Sequence, residues 1–240
     1  SKLGQWMMPA TPFHAKRLLD ILPKGVVSTV DIIQLANKYD WLLAWDMLGE
    51  STATPKWLRP YQAAAIKFVS ALRFRAIIAD DVGLGKTIEL LGALWLEHTR
   101  DTRIIVVAPA NVIYKWEREI RDPRQRFPWS GRWSAQVLAS KKTPIEDVNF
   151  WVISYEIMRS RVDELMRLEI GLLILDEVHY IKNYRALRTK AAEKLAAEIP
   201  NVIGLTGTPF LNDRPIEAWP FLHLIREWEW PDLWGRQGYG

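Results

Sequence analysis

Residues 76–87 read Ala-Ile-Ile-Ala-Asp-Asp-Val-Gly-Leu-Gly-Lys-Thr, and this stretch decides the fold. A short apolar run at 76–79 ends in a turn carrying Gly83 and Gly85, then Lys86 and Thr87. Amphipathic sequence follows over 87–98, with Ile88, Leu91 and Trp95 on one helical face. Strand, glycine turn and helix in that order form the context of a phosphate-binding loop. Glycines let the backbone curl so that its N–H groups face phosphate oxygens. Lys86 is placed for β- and γ-phosphates and the Thr87 hydroxyl for Mg²⁺, while the helix N-terminus adds its positive end. The general pattern begins on glycine where this chain has Asp80. By itself the segment also reads as a glycine-rich turn that binds nothing.

The alternation continues outward from this loop. Apolar runs recur at 104–108, 150–153, 172–175 and 202–205, separated by amphipathic stretches. Continuous apolar runs predict strands buried on both faces, hence a parallel sheet. Strand–helix alternation predicts an α/β domain, its largely parallel sheet sandwiched by helices. Ligands of such sheets bind at the carboxyl ends of the strands, and the chemically loaded residues gather there. Run 172–175 leads into Asp176-Glu177-Val178-His179. Asp176 suits a Mg²⁺ ligand, direct or through water, and Glu177 suits a base that orients and deprotonates water. A surface Asp-Glu pair after a buried strand is common, so the upstream loop decides the reading. Run 202–205 leads into Thr206-Gly207-Thr208-Pro209, which either bridges the acidic pair to a moving partner or is a simple turn.

Composition bounds the remaining possibilities. A length of 240 residues suits one domain plus a smaller piece. With 49% hydrophobic and 25% charged residues the chain can bury a sizeable core. The absence of cysteine excludes disulfides and cysteine-ligated zinc, and the four histidines are scattered. No apolar run approaches the roughly 18 residues of a membrane span, and the first residues lack a signal-peptide layout. No membrane association is expected, and the location is cytoplasmic, or nuclear in a eukaryote. A net charge of +4 does not establish a nucleic-acid partner. Yet residues 111–132 hold six basic against three acidic residues, and 180–190 hold four basic and none acidic. Each is either a solvated face or a polyanion contact. The thirteen tryptophans could form a base-stacking platform, although core packing is expected for most.

The motifs together resemble those of superfamily-two helicases, and within them the Swi/Snf-type double-stranded DNA translocases. The resemblance rests on 58–62 (Leu-Arg-Pro-Tyr-Gln), 80–87, 105–109 with 116–119, 152–156, 176–183 and 205–212. It implies a RecA-like P-loop NTPase lobe carrying a DEXH box: a nucleic-acid-dependent ATPase that binds ATP, Mg²⁺ and part of a double-stranded DNA backbone. Gln62 is expected to read adenine, and Asp80, Asp81, Val82, Gly83, Leu84, Gly85, Lys86 and Thr87 to surround the nucleotide. Lys86, Asp176 and Glu177 are the catalytic candidates, Thr87 and Asp176 the Mg²⁺ ligands, and Thr206, Gly207 and Thr208 the coupling segment. Asn111, Lys115, Trp116, Ser154, Tyr155 and Lys182 are the candidate nucleic-acid contacts, although Lys115 equally suits a helix pair with Glu119. Family members commonly carry Glu at position 81, Met at 82 and Ala at 178, where this chain has Asp81, Val82 and Val178.

The resulting organisation is a helical N-terminal extension over 1–52, the lobe over 53–226 and a connection beginning at 227–240. Apolar residues at helical spacing over 15–22 and 30–48, broken by Pro23-Lys24-Gly25, predict the extension. The match stops before a second RecA-like lobe, whose arginines would complete the ATP site. An arginine finger is worth on the order of 10³–10⁵ in rate, so nucleotide binding with slow hydrolysis is expected. The second lobe would come from the parent chain or a separate one. The alternative is a non-hydrolysing nucleotide-sensing module docked on a partner protein. Intact Lys86, Asp176 and Glu177 count against it.

Overall fold

In the computed structural model, which describes residues 57–72, 74–96, 102–121, 127–208 and 218–225, strands and helices alternate through the chain. The expected extension over 1–52 and the connection over 227–240 lie outside the described residues. The strands are β1 (Arg75–Ile78), β2 (Ile104–Ala108), β3 (Ala135–Leu138), β4 (Phe150–Ser154), β5 (Leu172–Asp176) and β6 (Asn201–Leu205). They form one sheet in the order β1-β6-β5-β2-β4-β3, and every pairing is parallel. The helices are α1 (Pro60–Ala71), α2 (Lys86–Leu96), α3 (Ile113–Arg121), α4 (Tyr155–Leu165), α5 (Leu187–Glu198) and α6 (Trp219–Ile225). A 3₁₀ turn, Val178–Ile181, follows β5. Among the described residues no helix is long and apolar enough to cross a membrane.

The continuous apolar runs have the expected physical cause. All five side chains of β2 and all five of β4 are buried, because helices cover both faces of the sheet. One core gathers α1, α2 and α3 over the sheet, with Ile66, Leu90, Leu94, Ile120 and Trp129 among its members. The other lies under α4, α5 and α6 and includes Met158, Leu165, Leu195 and Phe221. Each fully buried Leu, Ile or Phe contributes about 1.5–3 kcal/mol against remaining exposed. α1 and α2 approach closely at Gly92, where a Cβ would lie 2.7 Å from Ile66 Cδ1.

One expectation needs revision. The runs of 76–79, 104–108, 150–153, 172–175 and 202–205 all became strands, but β3 was not expected, because Gln136 interrupts its short apolar sequence. That glutamine is buried by its hydrogen bonds. Its amide nitrogen donates to the Pro144 carbonyl at 2.8 Å, and its oxygen accepts from the Glu146 N–H at 3.0 Å. Core packing, expected for most of the tryptophans, holds for four of the described ones. Trp116, Trp129, Trp133 and Trp151 are buried core residues. Trp129 stacks on Phe127 at 4.8 Å and meets Trp57 edge-on at 5.2 Å.

Candidate functional site

The loop after β1 turns through Gly83 at φ +90° and Gly85 at φ +95°, a region that glycine enters without the Cβ penalty. A Cβ at Gly85 would also sit 2.7 Å from the Gln62 amide nitrogen and push that side chain off the loop. α1 holds the loop from outside. Tyr61 and Gln62 both donate to the Leu84 carbonyl, at 2.9 and 3.0 Å. The Gln62 oxygen accepts from the Arg59 N–H at 3.0 Å, satisfying the amide preceding α1, whose first residue is Pro60. Lys86 reaches back over the loop and donates to the carbonyls of Asp80 and Asp81, at 2.8 and 3.1 Å. Val82 stands out at 77% exposure.

Asp176 ends β5 on the same edge and is held from three elements. Its Oδ2 accepts the Trp116 indole N–H from α3 at 2.7 Å. Its Oδ1 accepts the Glu177 N–H at 3.0 Å, and its main-chain carbonyl accepts the Tyr155 hydroxyl from α4 at 2.8 Å. Burial raises the Asp176 pKa and the Glu177 charge adds to the rise, while the Trp116 bond opposes it. Burial also pushes the Tyr155 hydroxyl well above its ordinary value, so it stays a donor. Glu177 adopts φ +48°, a left-handed conformation that costs a non-glycine residue about 1–3 kcal/mol and is typical of functional turns.

His179 connects the acidic pair to the third motif. Its Nδ1 lies 3.3 Å from Glu177 Oε2, 3.2 Å from Thr206 Oγ1 and 3.5 Å from Thr208 Oγ1. Burial lowers its pKa, with a smaller push from Lys182, against the opposing pull of Glu177. The neutral ring therefore prevails at pH 7, and the Glu177 carboxylate favours the tautomer with hydrogen on Nδ1. Thr206 is fully buried, and its hydroxyl accepts the Thr208 N–H at 3.1 Å. Gly207 packs on the phosphate loop, where a Cβ would lie 2.6 Å from Val82 Cγ2.

The sequence-derived candidates thus divide. Gly83, Gly85, Val82, Lys86, Thr87, Asp176 and Glu177 line one cavity of about 340 Å³, which extends to Val112, Lys115, Trp116, Glu119, Phe127 and Trp129. Gln62 lies against the loop through its amide nitrogen, which donates to the Leu84 carbonyl, while its oxygen is engaged by the Arg59 N–H. Asn111 and Lys115 are exposed at the start of α3, and Lys115 pairs loosely with Glu119 at 3.7 Å. Lys182 is half-buried after the 3₁₀ turn.

Three of the nucleic-acid candidates point inward in this structure. Trp116 and Tyr155 are 3% and 0% exposed and bonded to Asp176, so neither presents a surface to a polyanion. Ser154 is 4% exposed, and its hydroxyl caps α4 by accepting the Ile157 N–H at 3.2 Å. Sequence reasoning missed His179 as a connector and Glu89 as a buried acid. Glu89 is 0% exposed inside α2, and neither carboxylate oxygen meets a donor. An acid at 89 beside Leu90, Leu91, Gly92, Ala93 and Leu94 was the available signal.

A parallel sheet carrying a glycine loop, an acidic pair and a Thr-Gly-Thr turn on one edge defines a RecA-like lobe of helicase type. The SNF2-related domain family matches residues 61–235, and the chain belongs to that family. It is 32% identical over 168 residues to the SWI/SNF-related matrix-associated actin-dependent regulator of chromatin subfamily A-like protein 1 of Drosophila melanogaster, covering 70% of this chain and 22% of that protein. It is 30% identical over 181 residues to the DNA repair and recombination protein RAD54B of Gallus gallus, covering 65% of this chain and 19% of the relative. The chain therefore spans about a fifth of the length of these relatives. Among solved structures, the Sulfolobus solfataricus SWI2/SNF2 ATPase core in complex with dsDNA matches with a TM-score of 0.58 and 27% identity, over 70% of this chain and 35% of that one.

Proposed function

We propose that this chain is the Mg-ATP-binding lobe of a double-stranded DNA translocase, reaching full hydrolysis only with a second RecA-like lobe. The observation carrying this reading is the single cavity in which Lys86, Thr87, Asp176 and Glu177 converge. Lys86 leaves the carbonyls of Asp80 and Asp81 to pair with phosphate oxygens, and the backbone amides of 83–87 supply further donors. Thr87 and Asp176 fit Mg²⁺, which is commonly held by one or two protein oxygens together with substrate phosphates. Bound there, the ion would neutralise charge on the β- and γ-phosphate oxygens. Glu177 orients the attacking water and accepts its proton, with His179 fixing the carboxylate. Thr206 and Thr208 relay the state of Glu177 through the same imidazole to the segment that follows. The DNA reading draws support from the family, from the dsDNA bound to the Sulfolobus relative, and from exposed Asn111 and Lys115. Asn111 and Lys115 would meet the DNA backbone at the start of α3.

The test is ATP turnover with and without duplex DNA, beside a Glu177→Gln control, together with fluorescent-nucleotide binding. Firm binding with negligible DNA-stimulated turnover is expected from the lobe alone. Brisk turnover abolished by Glu177→Gln would mean that the site is complete without a second lobe.

A further inference from the structure

Asp176 receives hydrogen bonds from side chains on both α3 and α4, and the three bonds it accepts have distinct effects. Tyr155 pins its main-chain carbonyl, and so fixes the end of β5. The Glu177 N–H occupies Oδ1. The remaining freedom, the swing of Oδ2, is governed by one donor, the Trp116 indole at 2.7 Å. Trp116 sits sixty positions earlier in the chain, on the buried side of α3. Away from Trp116, α3 carries exposed Tyr114, at 61% exposure, and Arg118, with exposed Asn111 just before the helix and exposed Lys115 reaching the cavity rim. At helical spacing these positions share a face. α3 therefore carries cations on its outward side and, on its inward side, the indole that holds the Asp176 carboxylate.

We propose that Trp116 is a positioning residue that transmits polyanion contact on the exposed face of α3 to the orientation of the Asp176 carboxylate. The inference rests on the reading that this face meets duplex DNA and that Asp176 faces Mg-ATP. A small rotation or shift of α3 moves the indole N–H, and Oδ2 follows it, because the other contacts of Asp176 are fixed by β5 and α4. Partners that orient a metal-binding side chain typically change metal affinity by about 10–100-fold when removed. Coupling between two such sites typically amounts to about 5–150-fold. By reciprocity, Mg-ATP must change duplex affinity by the same factor.

The experiment uses the whole chain with ¹⁵N-labelled tryptophan, the Trp116 indole signal being assigned by its loss in Trp116→Phe. Asp176→Asn, which keeps the side-chain shape, should move that signal upfield without any ligand; an unmoved signal would overturn the hydrogen bond itself. Duplex DNA added without nucleotide should shift the Trp116 signal while leaving that of buried Trp151 in place. A Mg²⁺ titration of a fluorescent ATP analogue should then give a midpoint lowered at least about five-fold by DNA. In Trp116→Phe the midpoint should rise about 10–100-fold and the DNA effect should vanish. DNA binding with an unmoved Trp116 signal, or a DNA effect retained in Trp116→Phe, overturns the inference alone. A wild-type chain that binds neither duplex nor nucleotide overturns both the inference and the function proposed above.

Discussion

Replacing Glu89 by Gln should stabilise this protein at neutral pH, and by an amount that grows with pH. Glu89 is 0% exposed within α2, and its oxygens face no donor. Burial pushes its pKa from 4.5 up to about 9, helped by the neighbouring Asp80 carboxylate and opposed by Lys86. Two carboxyl groups side by side require a shared proton, so folded Glu89 stays neutral and donates to Asp80. Between pH 4.5 and about 9 the folded chain keeps a proton that the unfolded chain releases. Stability therefore falls as pH rises through that window, by about 1.4 kcal/mol per unit. At pH 7 the accumulated loss is roughly 3 kcal/mol. Glutamine keeps the shape and a donor toward Asp80 but has no proton to lose. Urea unfolding followed by tryptophan fluorescence should show the two proteins alike near pH 4.5, with the variant ahead by about 3 kcal/mol near pH 7. All other carboxylates titrate in both proteins, so the difference isolates this one. Parallel pH profiles for wild type and variant would refute the reasoning, because they would mean that Glu89 is ionised and compensated in the fold.

Gly207→Ala should weaken nucleotide binding, because its Cβ would press on Val82 at 2.6 Å and displace the phosphate loop. Adding Val82→Ala should restore the affinity, as read by fluorescent-nucleotide titration. Ser154→Ala should cost about 1 kcal/mol of stability through loss of the α4 cap. Duplex affinity, measured by anisotropy, should stay unchanged in that variant because the hydroxyl is turned inward.

The sheet was legible because strands buried on both faces cannot hide their composition, and the phosphate loop because glycine, lysine and threonine at that spacing serve few other purposes. Where polarity is compensated inside the fold, the sequence misleads. Gln136 hides a strand because its amide ends meet a loop that arrives ten residues later. Trp116, Ser154 and Tyr155 lie in segments read as nucleic-acid contacts, yet which side of a helix faces inward depends on packing against the sheet, which their local sequence does not encode. Trp116 and Tyr155 share a partner, Asp176, that is 60 and 21 residues away. His179 escaped notice for the same reason, since Thr206 reaches it from 27 residues downstream.

The central claim is tested most directly by titrating the chain with a fluorescent ATP analogue in Mg²⁺, wild type beside Lys86→Ala. The account predicts saturable binding by the wild type and a loss of about 10–100-fold in the variant, the worth of a charge-assisted contact. Equal binding by the two proteins, or none by a folded wild type, would contradict it.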